Sequence, residues 1–259
     1  MGPSDSLIEL RGLEKSFGAQ KVLRGVNLSV RRGETMVIIG SSGGGKSVIL
    51  KHCIGLLQPD AGEVLVDGKV ISRPDFIDVK AIRQRMGMLF QSAALFDSMN
   101  VGENIKFAVR EHNPGITEED LDAMVEEKLG LINLSPDIRF KMPSELSGGM
   151  KKRLGLARAI AANPAILLYD EPTTGLDPIT SDVINDLILD MQHKLGVTSL
   201  AVTHDMVSAY KVANRIAMLH EGHIIFVGTP NEVRATSNPY VQQFIRGQRK
   251  LVGAQEVLD

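Results

Sequence analysis

The chain has 259 residues, 43% of them hydrophobic, with 29 basic and 31 acidic side chains and a net charge of −2. That is enough apolar material for one large or two modest domains with a packed core. The near-balance of charge argues against a nucleic-acid-coating surface or a polybasic membrane anchor. Cys53 is the sole cysteine, so no intrachain disulfide can form and a reducing compartment is expected. The residue reads as a small apolar group packed on a helix. Apolar runs such as "MVIIG" and "AILLY" fall far short of the roughly twenty residues a membrane-spanning helix needs. The N-terminus has no basic stretch followed by an apolar run, so no secretion signal is expected and the reading is cytosolic. "MGPSDS" fits the loose N-myristoylation pattern through Gly2 and Ser6, a match that carries little weight by itself.

In chain order, residues 7–35 read as strands, with Val26, Leu28 and Val30 alternating onto one face of "VNLSV". "EVLVDGKVI" reads as a hairpin, Asp67-Gly68 supplying the positive-φ pair of a type I′ turn. "MVIIG", "RMGMLF", "AILLYD" and "TSLAVTH" are short, continuously apolar and bounded by turn residues. Such strands belong to a parallel sheet covered on both faces. Between Phe90 and Ala165 the strand signal vanishes, while "EEDLDAMVEEKLGL" places Leu121, Met124, Val125 and Leu129 at helical spacing. The spacing predicts a helical insert, about 91–164, interrupting an α/β core of about 1–90 and 165–245. A core helix follows in "DVINDLILDMQHKL", with Val183, Ile184, Leu187, Ile188, Met191 and Leu195 on one stripe. "TPNEV" opens another helix, with Thr229 as cap, Pro230 at the first position and Glu232 completing a capping box. The polar tail, 246–259, carries no structural signal.

Two motifs carry the chemistry. "GSSGGGKS" (Gly40, Ser41, Ser42, Gly43, Gly44, Gly45, Lys46, Ser47) follows the apolar strand "MVII" directly and fits G-x-x-x-x-G-K-[ST]. Its glycines let successive N–H groups curl round a phosphate, and the helix opened by Ser47 and Val48 adds its positive end. Lys46 is placed to reach the β- and γ-phosphates, and Ser47 to offer its hydroxyl to Mg²⁺. "ILLYDE" then ends a central strand on Asp170, a direct or indirect Mg²⁺ partner, and Glu171, suited to polarising an attacking water. A GTPase would normally carry an N-K-x-D guanine reader, and the sequence has none. The interval between Lys46 and Asp170 is also too short for the coiled coil of a chromosome-maintenance ATPase. The motifs predict binding of a nucleoside triphosphate and its hydrolysis.

"LSGGM", residues 146–150, raises a further question, because it is a second glycine-bearing helix start suited to a phosphate. Ser147 there can equally be an ordinary helix cap. With "LSGGM" added to the two motifs above, the chain resembles the ATP-binding-cassette ATPases from about Leu7 to Phe244. The resemblance implies an α/β P-loop NTPase (RecA-like) core with a mostly parallel sheet, an N-terminal antiparallel β subdomain and an inserted α-helical subdomain. It implies ATP and Mg²⁺ as ligands and a second copy of the chain as partner. Cassettes of this family pair head to tail, so Ser147, Gly148 and Gly149 would touch the nucleotide held by the other copy. Phe17, in "KSFGAQKVL", matches the aromatic that stacks on adenine, although the same ring could serve core packing. Gln91, in "LFQSAALF", matches the glutamine near Mg²⁺ and the attacking water. Asp177, in "TTGLDP", matches the loop facing the partner, where Gly175 is a mild departure. His204, in "LAVTHD", matches the γ-phosphate-sensing histidine; His52, His112, His193, His220 and His223 read as surface or core residues.

Met150 stands where most family members have glutamine. With "MLFQSAALFDSMNVGENI", "MPSELSGGMKKRLGLARAIA" and "YDEPTTGLDPIT", it makes the chain similar to the Mce/Mla-type ATPases that energise lipid movement across bacterial envelopes. That similarity implies integral-membrane permease subunits as partners, with a Mce-type lipid-binding subunit beside them and no nucleic acid. It also implies a peripheral position on the cytoplasmic face of the inner membrane. Leu95, Phe96 and Met99 are then expected to line a groove for a permease helix, against core packing as the alternative. A non-lipid cargo, a non-transport cassette and an ATP-binding regulatory subunit are the competing functional classes.

Overall fold

The computed structural model describes residues 6–72 and 79–247, so Gly2 and residues 248–259 of the tail lie outside the described residues. The chain enters through β1 (Ser6–Phe17), β2 (Gln20–Arg31) and β3 (Thr35–Ile39), then α1 (Lys46–Cys53), β4 (Ala61–Val66), β5 (Lys69–Val70), α2 (Val79–Gln84) and β6 (Met86–Leu89). Next come α3 (Val101–His112), α4 (Glu118–Leu131), two short 3₁₀ turns and α5 (Gly148–Ile160). The core resumes with β7 (Ile166–Asp170), α6 (Pro178–Leu195), β8 (Thr198–Thr203), α7 (Met206–Val212), β9 (Arg215–His220), β10 (His223–Gly228), α8 (Pro230–Ala235) and α9 (Pro239–Ile245).

Two sheets result. One is antiparallel, in the order β2-β1-β4-β5; the other runs β10-β9-β3-β8-β7-β6. In the larger sheet β3 pairs parallel with β8 and β9, and β7 pairs parallel with β6 and β8; β10 alone is antiparallel, against β9. All five residues of β3 and of β7 are buried, as the continuous apolar runs require of strands covered on both sides. Alternate side chains feed two cores. Val37, Ile39, Leu167 and Tyr169 pack with the helices α3 to α7. Met36, Ile38, Ile166 and Leu168 pack with α1 and the antiparallel sheet. At roughly 1.5–3 kcal/mol for each fully buried aliphatic side chain, this double layer fixes where the strand ends lie.

Local signals behave as their chemistry dictates. Asp67 and Gly68 both have positive φ (51° and 73°), as a type I′ turn requires. Thr229 and Glu232 form the reciprocal capping box at the start of α8. One expectation is corrected: Leu195 is 38% exposed, while Asn185 and Gln192 of α6 are buried. The apolar period runs past the point where the sheet stops covering the helix, and Gly196 ends it in the left-handed conformation at φ 64. Gln192 is satisfied inside, its Nε2 donating to Gly33 O (2.7 Å) and Asn214 Oδ1 (2.6 Å). Asn185 Nδ2 donates to Ser208 Oγ at 2.9 Å.

Candidate active site

β3 delivers the chain to the loop 40–45, and α1 carries it away. Gly40 packs so tightly on β9 that a Cβ there would meet Leu219 O at 2.4 Å. Gly45, at φ 99, lies against Val22, where a Cβ would come within 2.9 Å of Cγ1. Only glycine fits both positions without strain. α1 starts at Gly45 with no side-chain cap, whereas α3 to α9 all begin with a capping side chain. Its first N–H groups are therefore left for an anion. Lys46 is 5% exposed and donates to Gly40 O (2.8 Å) and Ser41 O (3.1 Å), with Nζ 3.5 Å from Glu171 Oε1.

The end of β7 stands opposite. Ser47 Oγ donates to Asp170 Oδ1 at 2.7 Å, joining the first turn of α1 to β7. One residue on, Glu171 adopts φ 48, a left-handed backbone that costs a non-glycine residue about 1–3 kcal/mol. Its carboxylate accepts from Thr174 Oγ1 (3.1 Å) and lies 2.9 Å from His204 Nδ1, at the end of β8. An ionised carboxylate can only accept, so this contact is a hydrogen bond in the tautomer with the proton on Nδ1, which leaves Nε2 free of it. Gln91, two residues beyond β6, completes the ring. A cleft of about 370 Å³ opens between these groups, lined by Phe17, Gln20, Val22, Ser42, Gly43 and the 45–48 turn on one side, and by Gln91, Glu171 and His204 on the other.

Ser147, Gly148, Gly149 and Asp177 do not line this cleft. Ser147 caps α5, its Oγ accepting from Met150 N–H at 3.3 Å. Asp177 caps α6, accepting from the Thr180 N–H (3.0 Å) and hydroxyl (2.5 Å). The Thr180 hydroxyl, then its N–H, hold the Asp177 carboxyl below the usual carboxylate range. The two helix starts abut: a Cβ on Gly149 would strike Thr180 Cγ2 at 2.5 Å, whereas one on Gly148 would meet only Leu176 Cδ2, at 3.9 Å.

Comparison with known proteins decides the family. The ABC transporter family profile matches residues 23–174. The probable ribonucleotide transport ATP-binding protein mkl of Mycobacterium leprae is 43% identical over 95% of this chain and 71% of its own length. The intermembrane phospholipid transport system ATP-binding protein MlaF of Haemophilus influenzae is 38% identical over 95% of this chain and 92% of its own. Among solved structures, the dimeric post-hydrolysis ATP-binding cassette MJ0796, bound to ADP and Pi, superposes with a TM-score of 0.79 at 30% identity, covering 86% of this chain and 98% of that one. The chain belongs to the ABC transporter family.

It is an ATP-binding cassette and an ATPase, and its cleft suits that substrate. The uncapped α1 and the glycine cradle fit a polyphosphate, and Phe17, 48% exposed at the rim, offers a ring face to a base. Mg²⁺ also fits the donor set. No cluster of three or more His, Cys, Asp or Glu side chains among the described residues could hold a metal alone. A magnesium ion needs no such cage, since it binds through a carboxylate or two together with the phosphates and water. Ser47 and Gln91 supply hard oxygen donors in the lining of the cleft, and Asp170 stands behind Ser47, bonded to its hydroxyl.

Sequence reasoning missed Gln20 and Val22, which line the cassette's cleft from β2, because strand residues carry no motif. It also missed Lys152, which is 5% exposed and bonds the carbonyls of Gln91 and Glu171. Helical spacing held the signal: Lys152 falls three and four residues before buried Gly155 and Leu156, on the inner face of α5. In the expected permease groove, Leu95 packs against the core, whereas Phe96 is 38% exposed and meets Phe107 in a tilted ring contact, centroids 4.6 Å apart.

Proposed function

We propose that this cassette works as a head-to-tail pair, each copy closing the other's nucleotide cleft, and that the pair drives a separate permease that moves lipid across a bacterial envelope. The observation that carries the pairing is the division of the site. One cleft gathers Lys46, Ser47, Gln91, Glu171 and His204, while exposed Ser147, Gly148 and Asp177 and half-buried Gly149 stand outside it. A partner's Ser147–Gly149 backbone laid over the γ-phosphate supplies the missing N–H donors. The dimeric state of the similar cassette MJ0796 supports this.

Within each composite site, Phe17 stacks on the base, and the 40–45 loop with Lys46 and Val48 of α1 holds the phosphates. Glu171 orients the attacking water by accepting its hydrogen bond and acts as its general base, His204 positions Glu171 and faces the γ-phosphate, and Gln91 is placed to contact the water and would help hold the metal. Mg²⁺, when bound through Ser47, Gln91 and Asp170, neutralises charge on the phosphate oxygens. ATP carries the negative charge that both half-sites need, so it favours the closed pair. Loss of the γ-phosphate removes that differential affinity and the pair reopens.

No helix among the described residues is long and apolar enough to cross a membrane; a separate permease chain, with the cassette docked on the cytoplasmic face of the inner membrane, is the reading that the phospholipid-transport relative supports. A lipid cargo, with a Mce-type lipid-binding subunit in the assembly, is supported by the phospholipid-transport relative and by the "LSGGM" wording. A ribonucleotide cargo is the second reading, favoured by the name of the mycobacterial relative. Mass spectrometry of the natively purified complex separates them, since bound phospholipid is expected and bound ribonucleotide beyond the two cleft sites is not.

Glu171→Gln tests the chemistry. Turnover is expected to fall about a hundredfold or more, the usual scale for losing a positioned base, while ATP binding persists. With ATP and Mg²⁺ the variant should accumulate as a dimer by size-exclusion light scattering. Near-normal turnover would remove Glu171 from its role, and a monomer under saturating nucleotide would remove the pairing.

A further inference from the structure

Lys152 stands on α5, where Lys151, Arg153 and Arg158 are half-buried, yet it is itself only 5% exposed. Its Nζ donates to Gln91 O (2.5 Å) and to Glu171 O (3.2 Å). Those carbonyls belong to the two segments, after β6 and after β7, from which Gln91 and Glu171 reach the cleft. Enclosing a cation has a cost. Burial pulls the Lys152 ammonium below the usual lysine pKa, against the charges of Asp170 and Glu171, which pull it up. An apolar side chain of the same length would pack α5 without that cost, so packing alone does not account for a lysine here.

The surroundings show what the bonds achieve. Glu171 holds its left-handed backbone with its N–H donating to Val202 O (3.0 Å) on one side and its carbonyl accepting from Lys152 on the other. The peptide that aims the carboxylate is thus clamped at both ends. The loop after β6 is tied to α5 as well. Arg158 donates to Ala93 O (3.0 Å) and Ala94 O (2.5 Å), which lie in consecutive left-handed residues at φ 61 and φ 49. α5 itself has no freedom against β6: a Cβ on Gly87 would sit 2.0 Å from Ala159 O, and one on Gly155 would sit 2.8 Å from Leu89 Cδ1. Lys152 is therefore a fixed point from which two strand ends are set.

We propose that Lys152 is a positioning residue of the hydrolytic site, fixing the directions of Glu171 and Gln91 through their backbone carbonyls without touching the nucleotide. The inference rests on the reading of Glu171 as the group that orients the attacking water. The test uses Lys152→Met, Lys152→Gln and Lys152→Arg in the full-length chain, with steady-state ATP hydrolysis and binding of a fluorescent ATP analogue. Lys152→Met is expected to lower kcat about tenfold or more while KM and analogue affinity stay within about twofold, the pattern of lost geometry rather than lost binding. Lys152→Arg, with donors enough for both carbonyls, should restore most of the rate.

An unchanged kcat in Lys152→Met overturns the proposal. So does a fall matched by a rise in KM, or one that arginine does not relieve. If Lys152→Met fails to fold, Lys152→Gln, which keeps an amide donor, is read by the same criteria; if neither folds, the lysine is part of the core and the proposal falls. Glu171→Gln runs alongside: normal turnover there sinks the role of Glu171 itself, whereas its loss beside an unaffected Lys152→Met sinks only the positioning.

Discussion

Lys46 and Cys53 begin and end the same short helix, yet their environments differ sharply. Lys46 sits among two carbonyls and a carboxylate. Cys53 is fully buried among apolar groups, and burial pushes its thiol up to about 12. Desolvation disfavours the thiolate, so the raised value leaves the neutral form dominant in the folded chain at every pH below it. At pH 8, iodoacetamide is expected to modify Cys53 only after denaturation. Rapid native labelling, read by intact mass, would contradict the packing of α1 against the antiparallel sheet.

At the scale of elements, α3 shows how the helical insert grips the loop that carries Gln91. Asn100 and Glu103 form a capping box, each side chain accepting from the other's N–H at 2.8 Å. One turn in, Asn104 is fully buried, its Nδ2 donating to the carbonyls of Phe96 (3.1 Å), Met99 (2.9 Å) and Asn100 (3.0 Å). Its Oδ1 accepts from Phe96 N–H at 2.9 Å. The two asparagines should therefore differ. Asn100→Ala removes an exposed cap and is expected to cost about 1 kcal/mol. Asn104→Ala strands buried backbone groups and is expected to cost about 2 kcal/mol or more. Urea unfolding of both variants checks the order, which reverses if the 96–100 turn is held by something else.

For the whole molecule, the question is whether one chain contains a complete site. The geometry supplies a clean lesion for asking. Gly149 is wedged on Thr180, so enlarging it damages the chain's own packing, while Gly148 is exposed with room for a side chain. Gly148→Asp is thus expected to leave the thermal midpoint within a few degrees, about what a surface change gives, and to abolish turnover by repelling the partner's γ-phosphate. Lys46→Ala disables the other half-site. Each variant alone should be inactive, and a mixture should regain part of the rate, because heterodimers collect both lesions in one site and leave the other whole. Activity of Gly148→Asp by itself would mean that each chain hydrolyses ATP unaided.

By itself, the sequence determined what depends on neighbours along the chain. The phosphate loop, the buried strands, the Asp67-Gly68 turn and the Thr229 box were legible because glycine content, apolar runs and capping pairs act over a few residues. The roles proposed for Gln91, Asp177 and His204 rest on family wording, since an isolated glutamine or histidine has no local signature. Tertiary structure decided the rest. It set Leu195 outside and Gln192 inside, because the reach of the sheet and not the helical period sets the end of the stripe. It also brought Lys152 to the carbonyls of Gln91 and Glu171. Such contacts join segments far apart in sequence, and only the packing of α5 against β6 brings them within bonding distance.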